Sequence, residues 1–122
     1  MAAPNIRNPS FIIGKTSTTS NVSTSLSAIL TNSSGSNKVF KINSIFAANT
    51  NGANNTTVSI SIYNGSTDTY LARTIGVPAD ATQIISTKET YFYLEEGFSI
   101  RAQAGNSNYI DVVISYEEIS NV

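Results

Sequence analysis

The chain has 122 residues, of which 40% are apolar and only 12% are charged, and its formal net charge is −1. A soluble domain typically carries about 25% charged residues, so uncharged Ser, Thr and Asn, more than a third of this chain, must supply its polar surface. Cysteine and histidine are absent, which excludes disulfides, thiolate metal sites and histidine-based catalysis. The near-neutral charge and the scattered cations disfavour a nucleic-acid partner or an anionic membrane.

The N-terminus and the apolar runs give no sign of targeting. Residues 1–5, Met-Ala-Ala-Pro-Asn, lack the basic and apolar regions of a secretory signal. No apolar run approaches the roughly 20 residues that span a bilayer. We therefore expect a soluble protein of one domain, made in a cytoplasm and held together by packing alone.

The N-terminal part of the chain contains few apolar residues. Prolines and small polar residues fill residues 1–10, which we interpret as an extended N-terminal arm. Residues 11–15 begin with Phe-Ile-Ile, which suits a strand or an anchor, and residues 24–30 alternate loosely enough for a second strand. The Ser, Asn and Gly of residues 32–37 predict a turn.

Residues 39–47 form the next apolar segment and alternate with a period of two, which predicts a strand. Successive side chains of a strand point to opposite faces of the sheet. The pattern therefore predicts two sets of side chains. One face carries Phe40, Ile42 and Phe46, and the other carries Val39, Lys41, Asn43 and Ile45.

A β-hairpin is the clearest local prediction. Residues 57–63 alternate strictly, Asn64-Gly65 is a turn signal, and residues 69–75 supply the partner strand. The expected inward side chains are Val58, Ile60 and Ile62, and the expected outward ones are Thr57, Ser59 and Ser61.

The remaining residues continue with short strands. Residues 77–81 predict a loop or a single helical turn, and no segment shows a helical period. About eight short strands with regular turns predict an all-β fold: a single-domain antiparallel β-sandwich, jelly-roll or immunoglobulin-like, over residues 11–122. A closed barrel stays open as an alternative because periodicity does not encode strand order. The last predicted strands are 82–86, 90–94, 98–104 and 109–117, the last with Ile110, Val112, Ile114 and Tyr116 on one face.

Paired carboxylates are the best remaining candidates for chemistry. Glu95 and Glu96 lie at a predicted turn, where solvated carboxylates are usual. Glu117 and Glu118 are neighbours on a predicted strand and therefore face opposite sides of the sheet. Neither pair predicts an acid–base site.

Two weaker signals lead to the same conclusion. Asp68 or Asp80 with loop carbonyls is a weak candidate for calcium binding, without EF-hand spacing. Gly14-Lys15-Thr16 lacks the upstream glycine and the following helix of a phosphate-binding loop. We therefore expect no catalytic residue, no cofactor and no metal site.

Tyrosines are the residues best suited to contact a sugar or a protein partner. Tyr91 and Tyr93 share one face of their predicted strand, and Phe92 and Leu94 share the other. We favour the interpretation in which Phe92 belongs to the core and the two tyrosines cover the outer face of a sheet.

Several segments together resemble small virion structural proteins of tailed bacteriophages, cyanophages among them. The most specific are the loop VPADAT at residues 77–82 and the hairpin LEEGFSIRA at residues 94–102. Phe98 stands where the usual pattern has an acidic residue, so we expect it to bury an extra ring or to form a contact surface. The supporting stretches are residues 38–49, 58–63, 72–82, 93–102 and 112–118.

The resemblance implies a capsid- or tail-associated accessory protein, without indicating which part of the particle holds it. The leading hypothesis is a non-enzymatic capsid decoration or head accessory module that binds neighbouring virion proteins and stabilises the particle. Its expected partners are capsid, neck or tail proteins, contacted by a homo-oligomer or by many symmetric copies. Neither nucleic acid nor membrane is an expected partner. The candidate partner-binding residues are Pro4, Asn5, Arg7, Phe11, Ile12 and Ile13.

A host-recognition module at the tail, the neck or a fibre tip is the alternative. Such a module would bind a glycan or a surface protein through loops such as residues 49–55 and 105–108. It predicts few copies per particle and direct binding to cells.

Overall fold

Alternating side chains build strands along nearly the whole chain. The computed structural model describes residues 7–120, and its one helical element there is the 3₁₀ turn Lys88–Thr90. The strands are β1 (Phe11–Thr19), β2 (Ser27–Thr31), β3 (Lys38–Asn49), β4 (Thr56–Tyr63), β5 (Asp68–Val77), β6 (Thr82–Ser86), β7 (Phe92–Leu94), β8 (Ser99–Ala104) and β9 (Ile110–Ser120).

The strands form two antiparallel sheets. Sheet I has the order β1-β9-β3-β6, with β7 also paired to β3, and sheet II has the order β2-β8-β4-β5. Because β6 and β7 pair with different parts of β3, they act as one interrupted strand. The predicted sandwich of about eight strands is confirmed, and two separate open sheets replace the barrel alternative.

The pairing is nested, with β4–β5 innermost, then β3–β6/β7, β2–β8 and finally β1–β9. An immunoglobulin sandwich pairs its first two strands in one sheet. Here β1 and β2 lie in different sheets, and every nested pair stays within one sheet. Of the two predicted sandwich types, the strand order is therefore that of a jelly roll.

The apolar core lies between the two sheets. The predicted inward face of β9 is confirmed, and on β4 Val58 and Ile60 are fully buried while Ile62 packs partly buried against the core. Phe98 also packs partly buried against the core, so it adds a ring there. The largest fully buried apolar side chains are Val22, Ile42, Ile45, Val58, Ile60, Val77, Leu94, Ile100, Ile110, Val112 and Ile114.

The predicted faces of β3 are wrong in the second half of the strand. Ile45, not Phe46, joins Phe40 and Ile42 in the core, and Phe46 is 36% exposed. The pairing of β3 with β9 shifts register between Ile42 and Ser44, so a bulge falls at Asn43. A bulge inserts one extra residue and therefore exchanges the two faces of every residue that follows it.

Two buried asparagines hold the loops at the ends of β3. The Asn32 amide, before β3, donates to the carbonyl oxygens of Lys38 and Leu94. The Asn49 amide, at the end of β3, donates to the carbonyl oxygens of Asn54 and Val77. Asparagine provides both donors and an acceptor, so each side chain substitutes for missing strand pairing.

The predicted arm falls largely outside the described residues. Met1–Ile6, which include Pro4 and Asn5, lie outside them, and the described chain begins at Arg7. The backbone N–H of Ser10 donates to the carbonyl oxygen of Ser120, so hydrogen bonding with β9 begins just before β1. Among residues 7–120, no helix is long and apolar enough to cross a membrane.

Candidate functional site

The first strand is the most exposed strand of the sandwich. β1 pairs with β9 along one edge, and no strand of residues 7–120 pairs with its other edge. None of its nine residues is buried. Phe11, Ile12 and Ile13 are 40%, 54% and 44% exposed, although all three are large apolar residues.

The structure brings these three candidate partner-binding residues together on one sheet edge. Ile12 pairs with Ile119 on the outer face of sheet I, whereas Phe11 and Ile13 lie on the inner side of the same strand. Arg7 is exposed and precedes the strand. The edge therefore offers apolar side chains on both faces beside a row of backbone donors and acceptors.

A charged cluster ties this edge to the middle of sheet I. Glu118 of β9 is only 6% exposed, and its two carboxylate oxygens lie 3.1 Å from Lys15 Nζ on β1 and 3.3 Å from Lys38 Nζ on β3. The neighbouring Tyr116 hydroxyl has its pKa raised above 10.0, chiefly by burial and then by the Glu118 charge, with Lys15 lowering it in part. The Glu118 carboxylate therefore links β9 to both β1 and β3, which is a structural role.

Three other carboxylates also make structural contacts. Glu96 accepts a hydrogen bond from the Asn37 N–H, and Asp111 accepts one from the Asn21 N–H. Asp68 accepts from Arg101 at 2.8 Å. Within residues 7–120, no group of three or more acidic residues is close enough to hold a metal ion.

The outer face of sheet I carries exposed rings. Tyr91 and Tyr93 are 47% and 36% exposed and meet edge to face, with Lys41 Nζ 4.4 Å from the centre of the Tyr91 ring. Phe92 packs against the core, so the prediction for this strand is confirmed. Ile84 is 52% exposed and pairs with Phe46 on the outer face of the same sheet. The exposure of these two side chains was not predicted, because the bulge in β3 changes which residues of that strand face outward.

The outer face of sheet II is polar as predicted, but the burial of its serines was not predicted. Ser59 and Ser61 point to the outer side as predicted, yet they are only 7% and 0% exposed. Ser61 donates to Asp68, which is bonded to Arg101, and the Arg101 guanidinium lies 4.3 Å from the centre of the Tyr63 ring. These side chains therefore cover Ser61 on this face.

A shallow cavity of about 230 Å³ opens on the same face. It lies where β4, β5 and β8 adjoin the segment before β2. No single stretch of sequence signals it, because its residues come from four separate segments. They are Thr24, Thr57, Ser59, Thr74, Gln103, Ala104 and Gly105.

The two loops of the host-recognition alternative lie side by side. The Thr50 N–H donates to the Tyr109 carbonyl oxygen, and the Asn54 amide donates to the Tyr109 hydroxyl. The Thr56 hydroxyl donates to Asn106 Oδ1 at 2.7 Å. Residues 49–55 and 105–108 therefore form one loop cluster at a single end of the sandwich.

No protein-family model matches this sequence, and no curated protein matches it either.

Proposed function

We propose that this protein is a non-enzymatic accessory protein of a tailed-phage virion, a capsid decoration or head module that binds neighbouring virion proteins through β1. The exposed run Phe11-Ile12-Ile13 carries this proposal, because no strand of residues 7–120 pairs with the outer edge of β1. Proteins usually protect such edges with prolines, several charges or a covering element. β1 has no proline and one charged residue, Lys15.

An open edge of this kind suits β-augmentation. A partner strand added along β1 would satisfy the outward-facing backbone groups, and its side chains would cover Phe11 and Ile13 on one face and Ile12 on the other. Main-chain hydrogen bonds would give affinity, and the apolar side chains would give register. A second copy of this chain or another virion protein can supply that strand.

The fold and the sequence resemblance support the same proposal. Jelly rolls build viral capsid and lectin domains among others, although a fold alone assigns no function. The loop at residues 77–82 and the hairpin at residues 94–102 resemble those of phage virion proteins. Modest contacts repeated by symmetry would suffice to hold many copies on a particle.

The deciding experiment is a cryo-EM reconstruction of the intact particle with this chain traced in density. We expect many symmetric copies on the head or neck, with β1 about 4.8 Å from a strand of a neighbouring chain. Particles without this chain, or copies whose β1 faces only solvent, would refute the proposal.

Host recognition at a tail or fibre tip is the second candidate, and the loop cluster around Tyr109 favours it. Each loop is bonded to a residue that flanks the other, so the two loops present a single surface for a glycan or a surface protein. A few outward-facing copies at a tip, together with direct binding of the purified protein to host cells, would establish this function in place of the first.

A further inference from the structure

The cavity on sheet II has an unusual chemical lining. Six of its seven lining residues are polar or glycine, and none carries a charge. Small-molecule sites are mostly apolar with a few polar groups, so this cavity does not suit an apolar ligand. Without charged groups it offers nothing specific to a metal ion or a phosphate.

Several polar groups of the lining have no partner within residues 7–120. The Thr24, Thr57 and Thr74 hydroxyls take part in none of the hydrogen bonds there. Ser59 Oγ accepts from the Thr74 N–H, which leaves its own hydrogen to donate. Gln103 donates through Nε2 to the Thr24 carbonyl oxygen, which leaves Oε1 to accept. The cavity thus presents several uncharged donors and acceptors, the groups that a compound with several hydroxyls can match.

Part of the lining is held by a strained backbone conformation. Thr74 has a φ of +52°, a left-handed conformation that is strained for a β-branched residue. It lies where the pairing of β4 with β5 shifts register, and its N–H bonds to Ser59. A Cβ on Gly105 would collide with the Thr57 hydroxyl, so only glycine fits at this position of the lining. Strain of this kind persists where the surrounding structure enforces it, often at binding sites.

An aromatic ring lies on the same face of sheet II, beyond the residues that line the cavity. Tyr70 pairs with Ser61 on the same outer face, two residues along β4 from Ser59, which places it about 7 Å further on. Its ring is 38% exposed, with the Arg73 guanidinium 5.2 Å from the ring centre. The C–H face of a sugar ring packs well on tyrosine, because the aromatic face is apolar and carries partial negative charge.

We propose that this cavity binds a neutral saccharide, with one sugar unit hydrogen-bonded to Thr57, Ser59, Thr74 and Gln103 and the next packed against Tyr70. The site lies on sheet II and makes no use of the β1 edge. The inference goes beyond the proposed virion role, and either one can fail without the other.

Nuclear magnetic resonance titration of the full-length ¹⁵N-labelled protein tests the site directly. The probes are maltose, cellobiose, lactose, mannobiose and N,N′-diacetylchitobiose, with sialyllactose and a sulfated disaccharide as charged comparisons. We expect at least one neutral disaccharide to shift the backbone amides of Thr57, Thr74, Gln103 and Gly105 in a saturable manner. Absence of such shifts with every neutral probe, binding only of charged probes, or shifts confined to other surfaces would each overturn the proposal.

Matched variants then assign the contacts. Thr57→Val keeps the shape of the side chain and removes its hydroxyl, so we expect affinity to fall about threefold to tenfold, the equivalent of one hydrogen bond. Thr16→Val removes an exposed hydroxyl from β1 and should leave affinity unchanged. Tyr70→Ala should also weaken binding. An equal effect of Thr57→Val and Thr16→Val, in variants with unchanged thermal stability, would contradict the assignment.

Discussion

β9 has a neighbour on each side, and the two neighbours differ completely in their burial. β3 and β1 are both antiparallel to β9 over most of its length. β3 places Phe40, Ile42 and Ile45 in the core, whereas β1 has no buried residue. Backbone pairing therefore makes a strand, but only coverage by the second sheet makes that strand part of the core. Within residues 7–120, β1 is therefore a strand that is paired on one side only.

The largest expected effect is a difference in unfolding free energy between a truncation in β3 and one in β1. Ile45→Ala in β3 removes a fully buried side chain and should cost about 2–5 kcal/mol of unfolding free energy. Ile12→Ala in β1 removes a side chain that is 54% exposed and should cost less than about 1 kcal/mol. Urea denaturation of both variants measures the difference, and equal losses would mean that β1 is covered in solution.

The next effect concerns the carboxylate that joins both neighbours of β9. Glu118→Gln removes the charge that Lys15 and Lys38 share, so we expect a loss of about 1–2 kcal/mol, limited because both lysines remain partly solvated. Glu117→Gln, on the opposite face of β9, is the matched control and should change stability by less than about 0.5 kcal/mol. A loss for Glu117→Gln as large as that for Glu118→Gln would refute the bridging role.

A smaller loss of stability is expected at alkaline pH, when the Tyr116 hydroxyl ionises. Tyr116 of β9 pairs with Lys15 of β1 and with Ile42 of β3. Its pKa is raised in the folded protein, so the unfolded chain releases this proton first. The stability contribution is complete below the unfolded pKa of 10.0 and is lost as pH rises through the higher folded pKa. Denaturation at about pH 8 and about pH 11 should show less alkaline loss for Tyr116→Phe than for the unchanged protein. The same alkaline loss in both proteins would show that Tyr116 ionises without penalty.

The smallest expected change in stability comes from Ile12→Lys, the variant that we expect to affect binding to particles most. Ile12→Lys places a charge on an exposed edge and should change unfolding free energy by less than about 0.5 kcal/mol, yet we expect it to abolish binding to particles. Ile84→Lys is the matched control, because Ile84 is 52% exposed on β6 at the opposite edge of sheet I. Co-sedimentation with particles that lack the protein measures both, and binding lost only in Ile84→Lys would move the interface to the other edge.

The sequence was sufficient wherever a local pattern determines structure. The strict alternation of residues 57–63 and the Asn64-Gly65 turn predicted β4, β5 and their hairpin. The split between Phe92 and Tyr93 was also local, since neighbouring residues on a strand take opposite faces.

Features that depend on distant pairing escaped the sequence reasoning. The bulge at Asn43 is defined by the pairing of β3 with β9 and leaves no local sequence pattern. The sequence therefore predicted Phe46 for the core and Ile45 for the outer face, the reverse of what is observed. The cavity on sheet II needs Thr24, Thr74 and Gln103 to meet, which no sequence spacing encodes. The proposed partner-binding residues Phe11 and Ile12 lie on β1, but neither residue reveals by itself that no other strand of residues 7–120 pairs with its outer edge.

The nested strand order has a consequence for the way in which the chain reaches this structure. The hairpin β4–β5 closes a short loop, whereas β1–β9 joins residues about a hundred positions apart, such as Ile12 and Ile119. Since the entropy cost of closure rises with loop length, we expect pairing to spread outward from the hairpin, with β1 docking last. Hydrogen-exchange measurements should then show the amides of β1 exchanging before those of any other strand of sheet I. The edge that we propose for partners would therefore form only when the rest of the molecule has folded.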